Sequence, residues 1–103
     1  NANEKDALFV LSVGGGNASK NISPNIVKAI DEALNRKMKI FGIVGKSDGY
    51  TQQKGHFVVT VPNAHEERVT PHSEAFQAVI WHCLVSDPIL AIKITKWESI
   101  TKK

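Results

Sequence analysis

The stretch that most limits what this chain can become covers residues 6–30, DALFVLSVGGGNASKNISPNIVKAI, an apolar run followed by three glycines and an amphipathic pattern. Residues 7–13 have the length and content of a strand covered on both faces, as strands of parallel sheets are. Gly14, Gly15 and Gly16 then release the backbone from its usual φ limits and let a ligand approach closely. Asn17, Ser19, Asn21, Ser23 and Asn25 follow, short polar side chains suited to capping the next helix or to holding an anion at its positive end. In that order, the pieces make a candidate phosphate site.

The rest of the chain repeats the alternation. Ser23 is expected to cap a helix with Pro24 at its first position, and Ile26, Val27, Ile30, Ala33 and Leu34 form its apolar stripe through Arg36. Residues 40–44 (IFGIV) read as a second strand, 45–55 as a turn with one turn of helix, and 57–61 (FVVTV) as a third strand stopped by Pro62. A polar loop over residues 63–70 leads to Thr70-Pro71, the expected start of a helix to Ser86 with Glu74 in its first turn. Asp87 and Pro88 break it, and an apolar piece over 89–97, helical at its start and anchored by Trp97, precedes a basic tail. Right-handed crossovers turn this order into a three-stranded parallel sheet with helices against it.

Several function classes are excluded. At 103 residues the chain is one domain with a small core. Its charge of +3, from eleven lysines and two arginines without a block of like sign, suits small anions and leaves no footprint for nucleic acid. The lone Cys83 excludes an internal disulfide and no apolar run can span a bilayer, so a cytoplasmic setting without membrane attachment is expected. The opening Asn1-Ala2-Asn3 has neither an initiator methionine nor a signal-peptide pattern, from which the chain is expected to be part of a longer polypeptide.

No nucleotide cofactor is expected either. The first glycine run lacks a glycine before Lys20, and Gly45-Lys46-Ser47 has Ile40 where a Walker A motif needs glycine. Ser19 stands at the third glycine position of a dinucleotide fingerprint, and residues 36–40 offer no acid for a ribose. The sequons at Asn17 and Asn21 are irrelevant in a cytoplasmic chain.

Across residues 7–86 the chain resembles the second half of a SIS (sugar isomerase) domain, and most closely the phosphoheptose isomerases. The resemblance rests on Ser12, Gly15, Asn17, Ser23 and Asn25, then Ile26-Val27-Lys28-Ala29-Ile30, then Gly45-Lys46-Ser47-Asp48-Gly49, then Val61-Pro62, and finally Glu74 and His82 eight residues apart. It implies an α/β fold of three layers, flavodoxin-like, here represented by about three parallel strands flanked by helices. Residues 7–86 are then the core and 87–103 a C-terminal helix and tail. The first half of the domain, with two strands and the glutamate base of the isomerases, is not among these 103 residues. Residues 8–13 are therefore expected to carry an open sheet edge that a separate or preceding piece covers.

The implied activity is the aldose–ketose isomerisation of sedoheptulose 7-phosphate in bacterial heptose biosynthesis, by a homotetramer with active sites at subunit interfaces. Ser12, Gly14, Gly15, Asn17, Ser19 and Ser23 are the expected substrate-binding residues. His82 is the expected catalytic acid or base, with Glu74 and His82 as ligands of a zinc ion that some members bind. The chain departs from the family where Val13 and Gly14 replace two hydroxyl residues, which shifts phosphate binding toward backbone N–H groups and Ser12, Ser19 or Ser23. Glu74 replaces a glutamine. Two other readings stay open: a phosphosugar-binding SIS domain without catalysis, and an interaction factor of the kind that binds the DnaA initiator.

The remaining candidates read as structural. His65 with Glu66 and Glu67 fits a solvated loop, His72 a first helical turn, and Lys46 and Asp48 the closure of a turn. Cys83 is expected to be packed, and Phe76, Trp81 and Val85 to be core or subunit contacts.

Overall fold

The computed structural model describes residues 1–93. Strand β1 spans Ala7–Ser12, helix α1 Pro24–Asn35, strand β2 Lys39–Val44, the short helix α2 Tyr50–Lys54, strand β3 Phe57–Thr60, and helix α3 Val69–Ser86, which a 3-10 turn at Glu66–Arg68 introduces. The strands form one parallel sheet in the order β1-β2-β3. This is the α/β fold that the alternation of apolar runs implies, three parallel strands flanked by helices. The expected strand at 57–61 is one residue shorter, although the Val61 N–H still reaches the Val44 carbonyl at 2.8 Å.

Strand periodicity divides the sheet into two unequal faces. Leu8, Val10, Ile40 and Ile30 meet on one side, where α1 supplies its apolar stripe with Ala33, and Met38 and Tyr50 close the cluster. Gly42 lies on this face because a Cβ there would stand 2.7 Å from Thr51 Cγ2. The other face carries Phe9, Phe41 and Phe57 in register, their rings stacked at 6.5 and 5.2 Å between centroids, with Leu11, Ile43 and Val59 in the next row. Phe9 remains 45 % exposed and Phe57 61 % exposed, so this chain alone leaves the phenylalanine row largely open.

Helix α3 covers only the upper end of that face. Its fully buried Ser73 abuts Gly45, just beyond β2, whereas Leu84 reaches down beside Phe9, Phe41 and Phe57. The helix therefore runs from the carboxyl ends of the strands toward their amino ends. Apolar residues fall on several of its sides; Ser73 and Gln77 are buried, whereas Phe76, Val79, Trp81, Leu84 and Val85 are exposed. The expectation of a packed Cys83 is corrected: the thiol is exposed, because the outer turns of α3 extend past anything in the chain that could cover them. For the same reason Phe76, Trp81 and Val85 are not core residues of this chain.

Three local expectations also change. Helix α3 starts at Val69, so Glu74 falls in its second turn. Ser23 makes no side-chain cap: at φ 48° it is left-handed, and its carbonyl accepts from the Ile26 N–H at 3.0 Å. The cause lies upstream, where Asn17 and Ile22 exchange two backbone hydrogen bonds at 2.9 and 3.0 Å and pinch the chain into a closed excursion. Beyond Asp87 a turn forms, with the Ala91 N–H on the Asp87 carbonyl at 2.8 Å, while Trp97 and its expected anchoring role lie outside the described residues. No helix among the described residues is long and apolar enough to cross a membrane.

The two faces should respond differently to substitution. Ile40→Ala removes a fully buried side chain and should cost about 2–5 kcal/mol in denaturant unfolding. Val59→Thr, on the half-exposed face, should stay within about 0.5 kcal/mol. Equal losses at both positions in the same titration series contradict the division.

Candidate functional site

The loops that follow β1 and β2 meet at the carboxyl ends of the strands, the side on which open parallel sheets bind their ligands. Gly15 and Gly16 carry the turn with φ of 78° and 83°, values that only glycine adopts without strain. Their carbonyls point at the start of α2. Gly15 O accepts from the Thr51 N–H at 3.0 Å and the Thr51 hydroxyl at 2.7 Å, and Gly16 O from the Tyr50 N–H at 2.8 Å. From the strand side, Ser12 Oγ accepts the Gly15 N–H at 2.9 Å. Among the described residues no acceptor takes the Gly16 N–H, which lies beside a cavity lined by Gly14, Gly16, Asn17, Lys20, Ile22, Lys46, Asp48 and Gly49.

The expected substrate residues divide by role. Gly14 and Asn17 line the cavity. Asn17 also organises the excursion, its Oδ1 accepting from the Ser19 hydroxyl and the Lys20 N–H, each at 2.9 Å. That bond occupies the Ser19 hydroxyl proton, and Ser19 faces a separate shallow hollow with Ala18, Tyr50 and Gln53. Ser12 and Gly15 shape the turn from behind, and the Ser23 carbonyl lies under Gly16.

Three contributors were not legible as such. Lys20 and Lys46 flank the cavity, although Lys46 reads in the sequence as a turn residue and Lys20 as one cation among many. Lys46 has one readable signal, its position two residues beyond the end of β2, whereas Lys20 lies within the excursion that Asn17 and Ile22 close. The third is Gln77, a buried amide whose Nε2 donates to the Ser12 carbonyl at 3.0 Å and the Ile43 carbonyl at 2.9 Å, fastening α3 to the ends of β1 and β2.

Glu74 and His82 are not brought to this cavity. Helix neighbours meet at spacings of three or four residues, whereas these two stand eight apart, about 12 Å along the axis. Both are exposed, and the His82 ring stacks on Trp81 at 3.8 Å, toward the amino ends of the strands. No three His, Cys, Asp or Glu side chains gather into a metal-holding group among the described residues. A zinc ion at Glu74 or His82 therefore needs ligands from beyond them.

Beside the cavity, the Tyr50 hydroxyl donates to Asp31 Oδ1 at 2.5 Å and ties α2 to α1. This hydrogen bond, helped by desolvation and the carboxylate charge, raises the Tyr50 pKa above its ordinary 10.0.

Compared with known proteins, the chain matches no family model, no curated protein and no solved structure. The case for its function rests on its own residues.

Two outcomes follow from the site's construction. Gln77→Leu keeps the shape of the side chain and removes both donors, and should cost about 1–3 kcal/mol in chemical denaturation; an unchanged midpoint contradicts the fastening role. The bond at Tyr50 favours the protonated phenol, so its contribution is complete below the unfolded pKa of 10.0 and fades as pH rises through the raised value. Stability should therefore fall more steeply above pH 10 in the native chain than in Tyr50→Phe, and parallel alkaline profiles contradict this.

Proposed function

We propose that this chain is the carboxyl-terminal half of a SIS domain that binds a phosphosugar in the glycine-loop cavity and, once completed, isomerises sedoheptulose 7-phosphate. The observation that carries the reading is the cavity itself. It lies at the carboxyl ends of parallel strands, with glycine backbone on one side and Lys20 and Lys46 at its rim. The two lysines outweigh the one carboxylate of Asp48, and with the unsatisfied N–H they match a phosphate group better than a neutral or cationic ligand.

Completion of the sheet belongs to the proposal. The outer edge of β1 pairs with nothing among the described residues, and the phenylalanine row is largely open, whereas parallel sheets bury both faces. A piece supplying further parallel strands and a covering helix answers both needs. The exposed apolar residues of α3 suit subunit contacts in a homo-oligomer, a tetramer by the resemblance, working in the cytoplasm.

Isomerisation needs a base to take a proton from the carbon beside the carbonyl and an acid to return one across the enediol. We assign His82 to one of these roles. Because His82 stands away from the cavity of its own chain, it serves a site formed with another subunit or with the missing half. Glu74 accompanies it, and with ligands from beyond this chain the two would hold a zinc ion that would supply Lewis-acid chemistry at the site. The same separation favours a second reading, a SIS domain that binds phosphosugars without turnover.

An isomerase assay on the completed protein separates the two. Under the first reading, His82→Ala should lower turnover about 100-fold or more while sugar-phosphate binding persists. Turnover unchanged by His82→Ala removes this residue from the chemistry, and binding with no turnover in the native protein selects the second reading.

A further inference from the structure

The glycine-loop cavity has a neighbour. Gly45, Lys46, Ser47 and Asp48 on one side, and Thr60, Val61, Pro62 and Asn63 on the other, line a groove between the loops after β2 and β3. The two concavities share Lys46 and Asp48, so together they form one trough across the carboxyl ends of all three strands. Their sizes differ: about 130 Å³ beside the glycines and about 460 Å³ in the groove. The first is anion-sized, whereas the second is an open groove within the roughly 300–1,000 Å³ of small-molecule sites.

Their chemistry differs in the same sense. The smaller cavity has two lysines against one aspartate, and peptide N–H groups besides. The groove adds no cation beyond Lys46 but offers hydroxyl, amide and carboxylate groups, the partners that neutral hydroxyls take. Asn63 Oδ1 already accepts the His65 N–H at 3.2 Å, which leaves its NH₂ to donate outward. The Thr60 hydroxyl donates to Gln52 Oε1 at 2.8 Å, so toward a ligand it acts as an acceptor. The hollow on the opposite flank competes poorly. It has no cation, and its Ser19 and Tyr50 hydroxyls are committed to Asn17 and Asp31.

We propose, resting on the phosphosugar reading, that the ligand lies astride the β2–α2 loop. Its phosphate sits between Lys20 and Lys46, and its hydroxylated chain extends into the groove toward Ser47 and Asn63. Lys46 and Asp48 form the saddle between the two parts. The site thereby selects a phosphate ester with a polyhydroxylated body over phosphate alone, and the groove residues set which sugars fit.

Calorimetric titration of the chain with inorganic phosphate and with sedoheptulose 7-phosphate, at fixed ionic strength, tests the arrangement. Lys20→Met should weaken both ligands by a similar factor of about ten. The double variant Ser47→Ala, Asn63→Ala should weaken the sugar phosphate about tenfold and leave inorganic phosphate unchanged. Lys28→Met, on an exposed part of α1, should alter neither. Amide shift mapping gives a readout that needs no variant: phosphate should move Gly14, Gly16 and Lys20, and the sugar phosphate should also move Thr60 and Asn63. Sugar-phosphate binding indifferent to Ser47 and Asn63, with no shifts at 60–63, overturns the proposed placement and leaves the phosphosugar reading standing. Failure of the native chain to bind either ligand overturns both.

Discussion

The hydroxyl of Thr51 is where the fold and the site become one structure. It is fully buried, its methyl occupies the space that Gly42 leaves in the middle of β2, and its oxygen and N–H both hold the Gly15 carbonyl. The glycine turn would otherwise be among the least constrained segments of the chain, since glycine loses more backbone entropy on ordering than any other residue. Fixing the Gly15 and Gly16 carbonyls toward α2 commits the peptide planes between them, and with them the direction of the free Gly16 N–H. The orientation of the Gly16 N–H is thus set by a side chain 36 positions along the chain from Gly15.

A second fastening acts on the same turn from the opposite face. Gln77 takes the Ser12 and Ile43 carbonyls, so α3 holds the last residue of β1 while α2 holds the turn beyond it. A buried amide is costly unless it is satisfied, and here the two carbonyls orient it. The cavity therefore stands on regular elements and not on a free loop.

What the sequence disclosed follows from which forces are local. The strands at 7–13, 40–44 and 57–61 were legible because each is a short apolar run between breakers, and the stripe of α1 because 3.6 periodicity survives in its composition. The Ser23 cap failed because the backbone pairing of Asn17 with Ile22 just upstream leads into α1 through a left-handed residue, a contact that no side-chain pattern announces. Glu74 and His82 were expected from the resemblance and Cys83 from its place among apolar helix residues, and neither says how much of that helix the rest of the chain covers. Lys20 and Lys46 were missed as a pair because their proximity depends on parallel neighbours ending side by side, a property of the sheet that no window along the chain contains.

The two functional parts of the proposal depend on different regions of the fold, and this has a thermodynamic consequence. The bonds that shape the glycine-loop cavity run between β1, β2, α2 and the first half of α3, all within this chain. His82 stands instead on the exposed outer turns of α3, whose Leu84 lies beside the largely open row of Phe9, Phe41 and Phe57. Covering that apolar face contributes about 25 cal/mol for each square ångström removed from water, and this force reaches the glycine turn through α3, whose Gln77 holds the Ser12 carbonyl. On the proposed reading, completion of the domain and anion binding are coupled through that side chain. The bonds that set the glycine turn are all made within this chain, whereas the role proposed for His82 requires the surface around α3 to be filled.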